Sequence, residues 1–192
     1  LTVAGTAGFF GLGSEAAEAQ QPARIPRIGI LLPNPASFNS ARVEAFRRRL
    51  RELGYVEGKN IVIEYRYAEG KNERLPDFAT ELVRLKVDVI VTSGTQSILA
   101  AKKASSTMPI VFTAHSDPLG TGIVSSLARP GGNITGLSTM APDLDGKRLE
   151  LLKEAFPKVD RVAFLWHPGG TRGNLTLTEM EAAAKTLGVK LQ

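Results

Sequence analysis

Residues Val87 to Thr92 form a short, nearly continuous apolar run. A segment this brief and this apolar reads as a strand covered on both faces, the condition of a central strand in a parallel sheet. It passes through Ser93-Gly94 straight into a helical segment, Thr95 to Ala104. The same passage from strand to helix recurs along the chain from Arg27 onward.

Ile28 to Leu32 predicts a strand stopped by Pro33-Asn34-Pro35, and Ser40 to Leu53 a helix with the stripe Val43, Phe46, Leu50, Leu53 and Gly54 as its stop. In Ile61 to Tyr67, Ile61, Ile63, Tyr65 and Tyr67 alternate with Glu64 and Arg66. That pattern suits a partly covered strand at a sheet edge. Leu75, Phe78, Ala79, Leu82 and Val83 predict a second amphipathic helix. Ile110 to Thr113 reads as a strand, Gly122 to Ala128 as a helix, and Ile134 to Leu137 as a strand after the turn Pro130-Gly131-Gly132-Asn133. A new unit follows: a helix from about Asp143 carrying Leu149, Leu152 and Phe156, a strand Arg161 to Trp166, and a helix Leu177 to Leu187. The chain stops at Val189 to Gln192, where a further strand is due.

This succession predicts an α/β fold: a doubly wound, Rossmann-like parallel sheet with helices on both faces. The expected division is a first lobe over residues 27–139 and the start of a second, truncated lobe over residues 140–192. Residues 1–19 read as the remnant of a secretory signal peptide. An apolar stretch to Leu12 is followed by Ala17-Glu18-Ala19 as a cleavage site, with 20–26 a linker. The expectation is export to the periplasm.

The composition, 43% hydrophobic and 22% charged over 192 residues, is that of a globular protein with a real core. Cysteine is absent, which excludes disulfides, thiolate metal sites, a cysteine nucleophile and a lipidated N-terminal cysteine. The net charge of +5 does not by itself imply nucleic acid. Arg47, Arg48, Arg49 and Arg51, beside Phe46 and Leu50, read as a solvated helix face.

Ligands of open α/β sheets bind beyond the carboxyl ends of the strands. Three loops qualify: Pro33 to Asn39 with Ser37, Phe38 and Asn39; Ser93-Gly94-Thr95-Gln96; and Ala114 to Pro118 with His115, Ser116 and Asp117. In the second, Gly94 permits close backbone approach, and the amides of Thr95 and Gln96 open a helix whose positive dipole end favours an anion. Hydroxyls of Ser93, Thr95 and Ser97 are at hand to complete a carboxylate site, although Ser93 or Thr95 acting as a plain helix cap is equally compatible. Phe38 offers an apolar wall. Asp117 before Pro118 suits shaping a turn or bonding a ligand amine.

Enzyme signatures are weak. His115-Ser116-Asp117 has the residue types of a triad, but adjacent side chains diverge and form no relay among themselves. His167 is the only other histidine, which leaves a multi-histidine metal site without ligands. Gly120-Thr121-Gly122 opens like a dinucleotide fingerprint, yet Ser125 stands where the third glycine belongs. Leu53, Tyr65 and Ala141 occupy the upstream glycine position before the three Gly-Lys pairs, so no P-loop is present. Asn133-Ile134-Thr135 and Asn174-Leu175-Thr176 match glycosylation sequons, a common pattern. No cofactor is called for.

The stretch from Asp117-Pro118-Leu119-Gly120-Thr121-Gly122 through Ala128-Arg129-Pro130-Gly131-Gly132-Asn133-Ile134-Thr135-Gly136 resembles the hallmark segment of a bacterial ABC transporter substrate-binding family, in the branch similar to aromatic amino-acid binding components. Ile28-Gly29-Ile30-Leu31, Gly54-Tyr55, Gly58-Lys59-Asn60 and Asp88-Val89-Ile90-Val91 agree with it, and the likeness covers about Arg27 to Leu191. The resemblance implies the fold of a type I periplasmic binding protein: two Rossmann-like lobes, a hinge, and a small molecule held in the cleft. It also implies a membrane permease as partner, a monomeric receptor, and no covalent chemistry. Thr95, Gln96, Ser116 and Asp117 are the leading ligand contacts, with Gly136 to Thr139 near the first crossing between lobes. A ligand-sensing domain of a signalling system, or a small α/β enzyme, are the other classes that this fold accommodates.

Overall fold

The computed structural model describes residues 24–139, 141–165 and 173–192. The signal-like segment 1–19, most of the linker, Trp166 and His167 lie outside them. The elements run β1 (Arg27–Leu32), α1 (Ala36–Glu52), β2 (Val62–Tyr67), a 3-10 turn (Asn72–Arg74), α2 (Leu75–Arg84), β3 (Val89–Thr92), α3 (Thr95–Ala104), β4 (Ile110–His115) and β5 (Ile134–Ser138). These strands form one sheet in the order β2-β1-β3-β4-β5, and every adjacent pair is parallel. The apolar run at Val87 to Thr92 therefore does supply the central strand, and the alternating segment does lie at the edge.

Period-2 geometry in β1 divides the core into two layers. Ile28, Ile30 and Leu32 pack with Ile61, Ile63 and the α1 residues Val43, Phe46 and Leu50. Leu31 faces the opposite side, with Leu75, Ala79 and Leu82 of α2 and Ile98 and Ala101 of α3. Gly29 shares that side: a Cβ there would meet Leu82 at 3.0 Å and Val87 at 3.2 Å, so the missing side chain lets α2 settle close to the sheet. Thus α1 covers one face while α2 and α3 cover the other, as a doubly wound fold requires.

Two expected elements differ. Residues 122–128 are not a helix but part of a folded loop running from Asp117 to Asn133. Gly122 sits at φ +67, in the left-handed region, so it is not itself a right-handed helical residue. Ile123 and Val124 then point inward together and join the core beside α3. Their amides reach the Pro118 carbonyl at 3.0 and 3.1 Å, so the loop folds on itself. Secondly, α1 begins at Ala36 rather than Ser40, placing Ser37, Phe38 and Asn39 in its first turn instead of a loop. Pro35 acts as N-cap, at φ -57 and ψ 158, and the buried Asn39 amide donates to the carbonyls of Asn34 and Pro35 at 3.1 and 3.0 Å. A fixed proline φ at the helix entry stabilises this earlier start.

The arginine-rich face of α1 is paired to acids: Arg47 to Glu57 at 2.9 Å, Arg49 to Glu52 at 2.9 Å and Arg51 to Glu44 at 2.7 Å. These are partly exposed pairs of small individual worth. Beyond β5, α4 (Ala141–Ala155), β6 (Arg161–Val162), α5 (Gly173–Leu187) and β7 (Lys190–Leu191) build a separate two-stranded parallel sheet, with β6 shorter than the expected strand. Its apolar cluster, centred on Leu149, Met180, Ala184 and Val189, is distinct from the two layers of the main sheet.

The β4–β5 contact is tight at Gly136, opposite Phe112. A Cβ at Gly136 would run into the Phe112 carbonyl oxygen and ring. Gly136→Ala is expected to destabilise the protein by about 1–3 kcal/mol, read as a lower urea midpoint. At the other edge, burial, with the Glu57 carboxylate nearby, pushes the Tyr65 phenol up to about 12. An unfolded tyrosine ionises near about pH 10, so this group's contribution is complete below that pH and is lost as pH rises towards about 12. Phenolate absorbance should therefore rise later in native protein than in urea, and Tyr65→Phe should remove that lag for one tyrosine.

Candidate ligand-binding rim

The strand order reverses between β1 and β3, since β2 lies to one side of β1 and β3, β4 and β5 to the other. The crevice outside such a switch point is the usual ligand position in open α/β sheets. Pro33 leaves β1 there and Ser93-Gly94 leaves β3. A Cβ at Gly94 would lie 3.5 Å from Pro33 Cγ, so the two loops abut. Gly94 also holds φ +85, a conformation that side chains resist, and is the N-cap of α3.

The N-cap residue, being glycine, makes no side-chain cap bond. Ser97, fully buried, instead donates its hydroxyl to the Ser93 carbonyl at 2.9 Å. Thr95 Oγ1 lies 3.0 Å from His115 Nε2 at the end of β4. The residue at the N-cap position of α3 is Gly94, not Ser93 or Thr95. Gln96 is exposed at the start of the helix, and Ser93 and Thr95 are half-buried. α3 is ten residues long, so its first-turn amides and dipole present a positive end to the rim.

The third loop is held from within. His115 is only 5% exposed, and its Nδ1 accepts the Asp117 backbone N–H at 3.0 Å. Asp117 Oδ1 accepts the Gly120 N–H at 2.8 Å, and a Cβ at Gly120 would overlap the Asp117 carboxylate. Asp117 therefore shapes the turn, while its half-buried carboxylate keeps a charge at the rim. The His115 ring bonds thus run to Thr95 and the Asp117 backbone, whereas the Asp117 carboxylate serves Gly120. Ser116 is half-buried beside them.

The first segment contributes differently. Asn39 is spent on the entry to α1, whereas Ser37 is exposed and Phe38 is 65% exposed, with the Arg42 guanidinium 5.9 Å from its ring centroid. Arg42 and Thr113, missed in the sequence, join Asn39 and Ser93 around a hollow floored by Ile30, Leu32 and Val91. Arg42 lies one turn beyond Phe38, the one signal that pointed to it. Two supporting residues were also missed. Lys102 Nζ holds the carbonyls of Gly122 and Ile123 at 3.1 and 2.9 Å, and the Asn133 amide donates to Ser105 and Met108 at 3.0 and 2.6 Å. The glycine-rich hallmark is thereby a clamped loop that braces α3 and β4, and the Asn133 amide of the sequon is occupied.

Among the described residues no three His, Cys, Asp or Glu side chains gather as a metal site. No described helix is long and apolar enough to cross a membrane.

The family model described as ABC transporter substrate binding protein matches residues 31–192. A tyrosine-binding protein of Clostridioides difficile is 32% identical over 160 residues, covering 82% of this chain and 45% of its own length. Among solved structures, a conserved domain protein from Vibrio cholerae superposes with a TM-score of 0.76 at 30% identity, over 88% of this chain and 56% of that one. An ABC domain in complex with L-Trp from Streptococcus pneumonia gives 0.73 at 24% identity, over 87% and 56%, a likeness of fold. The chain thus spans about half the length of these relatives. Its sheet is that of a type I periplasmic binding protein lobe, and the chain belongs to the ABC transporter substrate-binding protein family.

Proposed function

We propose that this chain captures an amino acid, preferentially an aromatic one, as the extracytoplasmic receptor of an ABC importer. The observation that carries this reading is the start of α3 after Gly94, set at the strand-order switch between the Pro33 loop and the Asp117 loop. The ligand carboxylate meets the amides of Thr95 and Gln96 with the hydroxyls of Ser93 and Thr95 alongside. Its ammonium group faces the Asp117 carboxylate and Ser116. Phe38, exposed on α1, supplies an aromatic surface for the side chain, with Ser37 next to it. The tyrosine-binding relative supports an aromatic amino acid as ligand class.

In this reading residues 27–139 are the first lobe and 140–192 the start of the second. Closure of the two about a hinge near Gly136 to Thr139 traps the ligand for delivery to a membrane permease. Export fits the family and the signal-like residues 1–19. The work is reversible binding, and the residues at the rim act by charge and hydrogen bonding.

The test is thermal unfolding in the presence of L-tyrosine, L-tryptophan, L-leucine and benzoate. At about 100 times its Kd a ligand adds about 2.7 kcal/mol, which gives a clear rise in midpoint. The aromatic amino acids should raise it most. Thr95→Pro, tolerated at a first helical position but lacking both the amide and the hydroxyl that meets His115, should abolish the rise, with the ligand-free protein losing about 1 kcal/mol, the worth of one hydrogen bond. Absence of a shift with any amino acid would sink the proposal.

Asp117 separates turn-making from ammonium binding. Asp117→Asn keeps an acceptor for the Gly120 amide and should leave urea stability nearly unchanged, yet weaken L-tyrosine binding at least tenfold through loss of a charge-assisted bond. Asp117→Ala should lose about 1 kcal/mol of stability as well.

A further inference from the structure

The pairing of β4 with β5 slips by one residue between Phe112 and His115: Phe112 lies opposite Gly136, but His115 lies opposite Ser138. The extra residue in β4 reverses the period-2 alternation. Ile110 and Phe112 point to the α2–α3 side, and simple alternation would send His115 to the other face. Instead His115 is buried with its ring 6.3 Å from that of Phe112, edge-on at 79°. The irregularity turns the imidazole under the start of α3. The Thr139 amide, donating to the His115 carbonyl at 2.9 Å, fixes its backbone.

On that geometry, and resting on the receptor reading above, we propose that His115 is a positioning residue that clasps two ligand loops together without touching the ligand. Its Nδ1 accepts the Asp117 N–H, so the neutral ring carries its proton on Nε2 and donates it to Thr95 Oγ1. One ring thereby sets the distance between the first residue of α3 and the backbone of the Asp117 turn. A carboxylate held by α3 and an ammonium held at Asp117 sit a fixed distance apart in every α-amino acid, so this spacing bears directly on affinity. A binding site whose groups are held in place before the ligand arrives loses less freedom on binding.

Two substitutions divide the clasp. His115→Gln places an amide N–H near the Nε2 position and retains the bond to Thr95. His115→Asn places a carbonyl oxygen near the Nδ1 position and retains the bond from Asp117. The readouts are the affinity for L-tyrosine and amide hydrogen exchange in the ligand-free full chain. Exchange is followed at Asp117 and at Ile98, whose N–H makes the first intrahelical bond of α3, to Gly94. His115→Ala should speed exchange at both amides and weaken L-tyrosine about tenfold, the equivalent of one hydrogen bond. His115→Gln should recover protection at Ile98 and most of the affinity while Asp117 stays fast. His115→Asn should show the converse pattern of exchange. Unchanged exchange in all three variants would overturn the proposal. So would a tenfold loss of affinity in the Gln variant with both amides still protected, the mark of direct ligand contact. If His115→Ala fails to fold, the opposed patterns of Gln and Asn decide. If the wild type binds no amino acid, the receptor reading fails by itself, and exchange alone judges the clasp.

Discussion

Parallel pairing throughout the main sheet is the constraint on which the rest depends. When every strand runs the same way, the carboxyl ends of β1, β3 and β4 must emerge on one rim. Each connection then needs a crossover on a face: α1, α2 and α3 make the first three, and the loop from Asp117 to Asn133 makes the one from β4 to β5. The helices begin where the strands end, so their amino ends are delivered to the same rim. The reversal of order between β1 and β3 opens the crevice there, because α1 leaves on one face and α3 on the other. A rim that gathers the positive ends of helices is thus a consequence of topology before any particular side chain is chosen.

The hallmark loop from Asp117 to Asn133 secures that rim from below. Its glycines answer local demands: Gly120 because Asp117 occupies the space of a Cβ, Gly122 because the backbone turns left-handed. Its apolar pair, Ile123 and Val124, anchors it to the core. Its ends are tied by Asp117 to Gly120 and by Asn133 to the loop before β4. Lys102 from α3 completes the clamp.

Placement of the helices and of the central and edge strands was legible because each rests on a local signal. Val87 to Thr92 is apolar on both faces, Ile61 to Tyr67 on one, and the α2 stripe recurs at helical spacing. The helix expected at 122–128 failed because apolar residues in a helix-like spacing also suit a loop that inserts two neighbours into a core. The first turn of α1 was missed because Pro35 reads as a breaker, whereas at a helix entry, where amides have no intrahelical partner, proline is tolerated. Thr95, Asp117 and His115 were singled out from their places after strands, but their bonds to one another were not foreseeable.

The sequence by itself determined the α/β class and, the helix expected at 122–128 apart, the order of strands and helices, since periodicity and turn chemistry act over a few residues. Only the tertiary structure decided that β4 slips by one residue against β5, that His115 thereby faces Thr95, and that Asn133 and Lys102 brace a loop far along the chain. Those outcomes depend on register and on close approach between segments tens of residues apart, such as Gly136 against Phe112. The hydrophobic pattern selects the face each strand turns to the core, but a one-residue bulge shows only in the pairing of two strands.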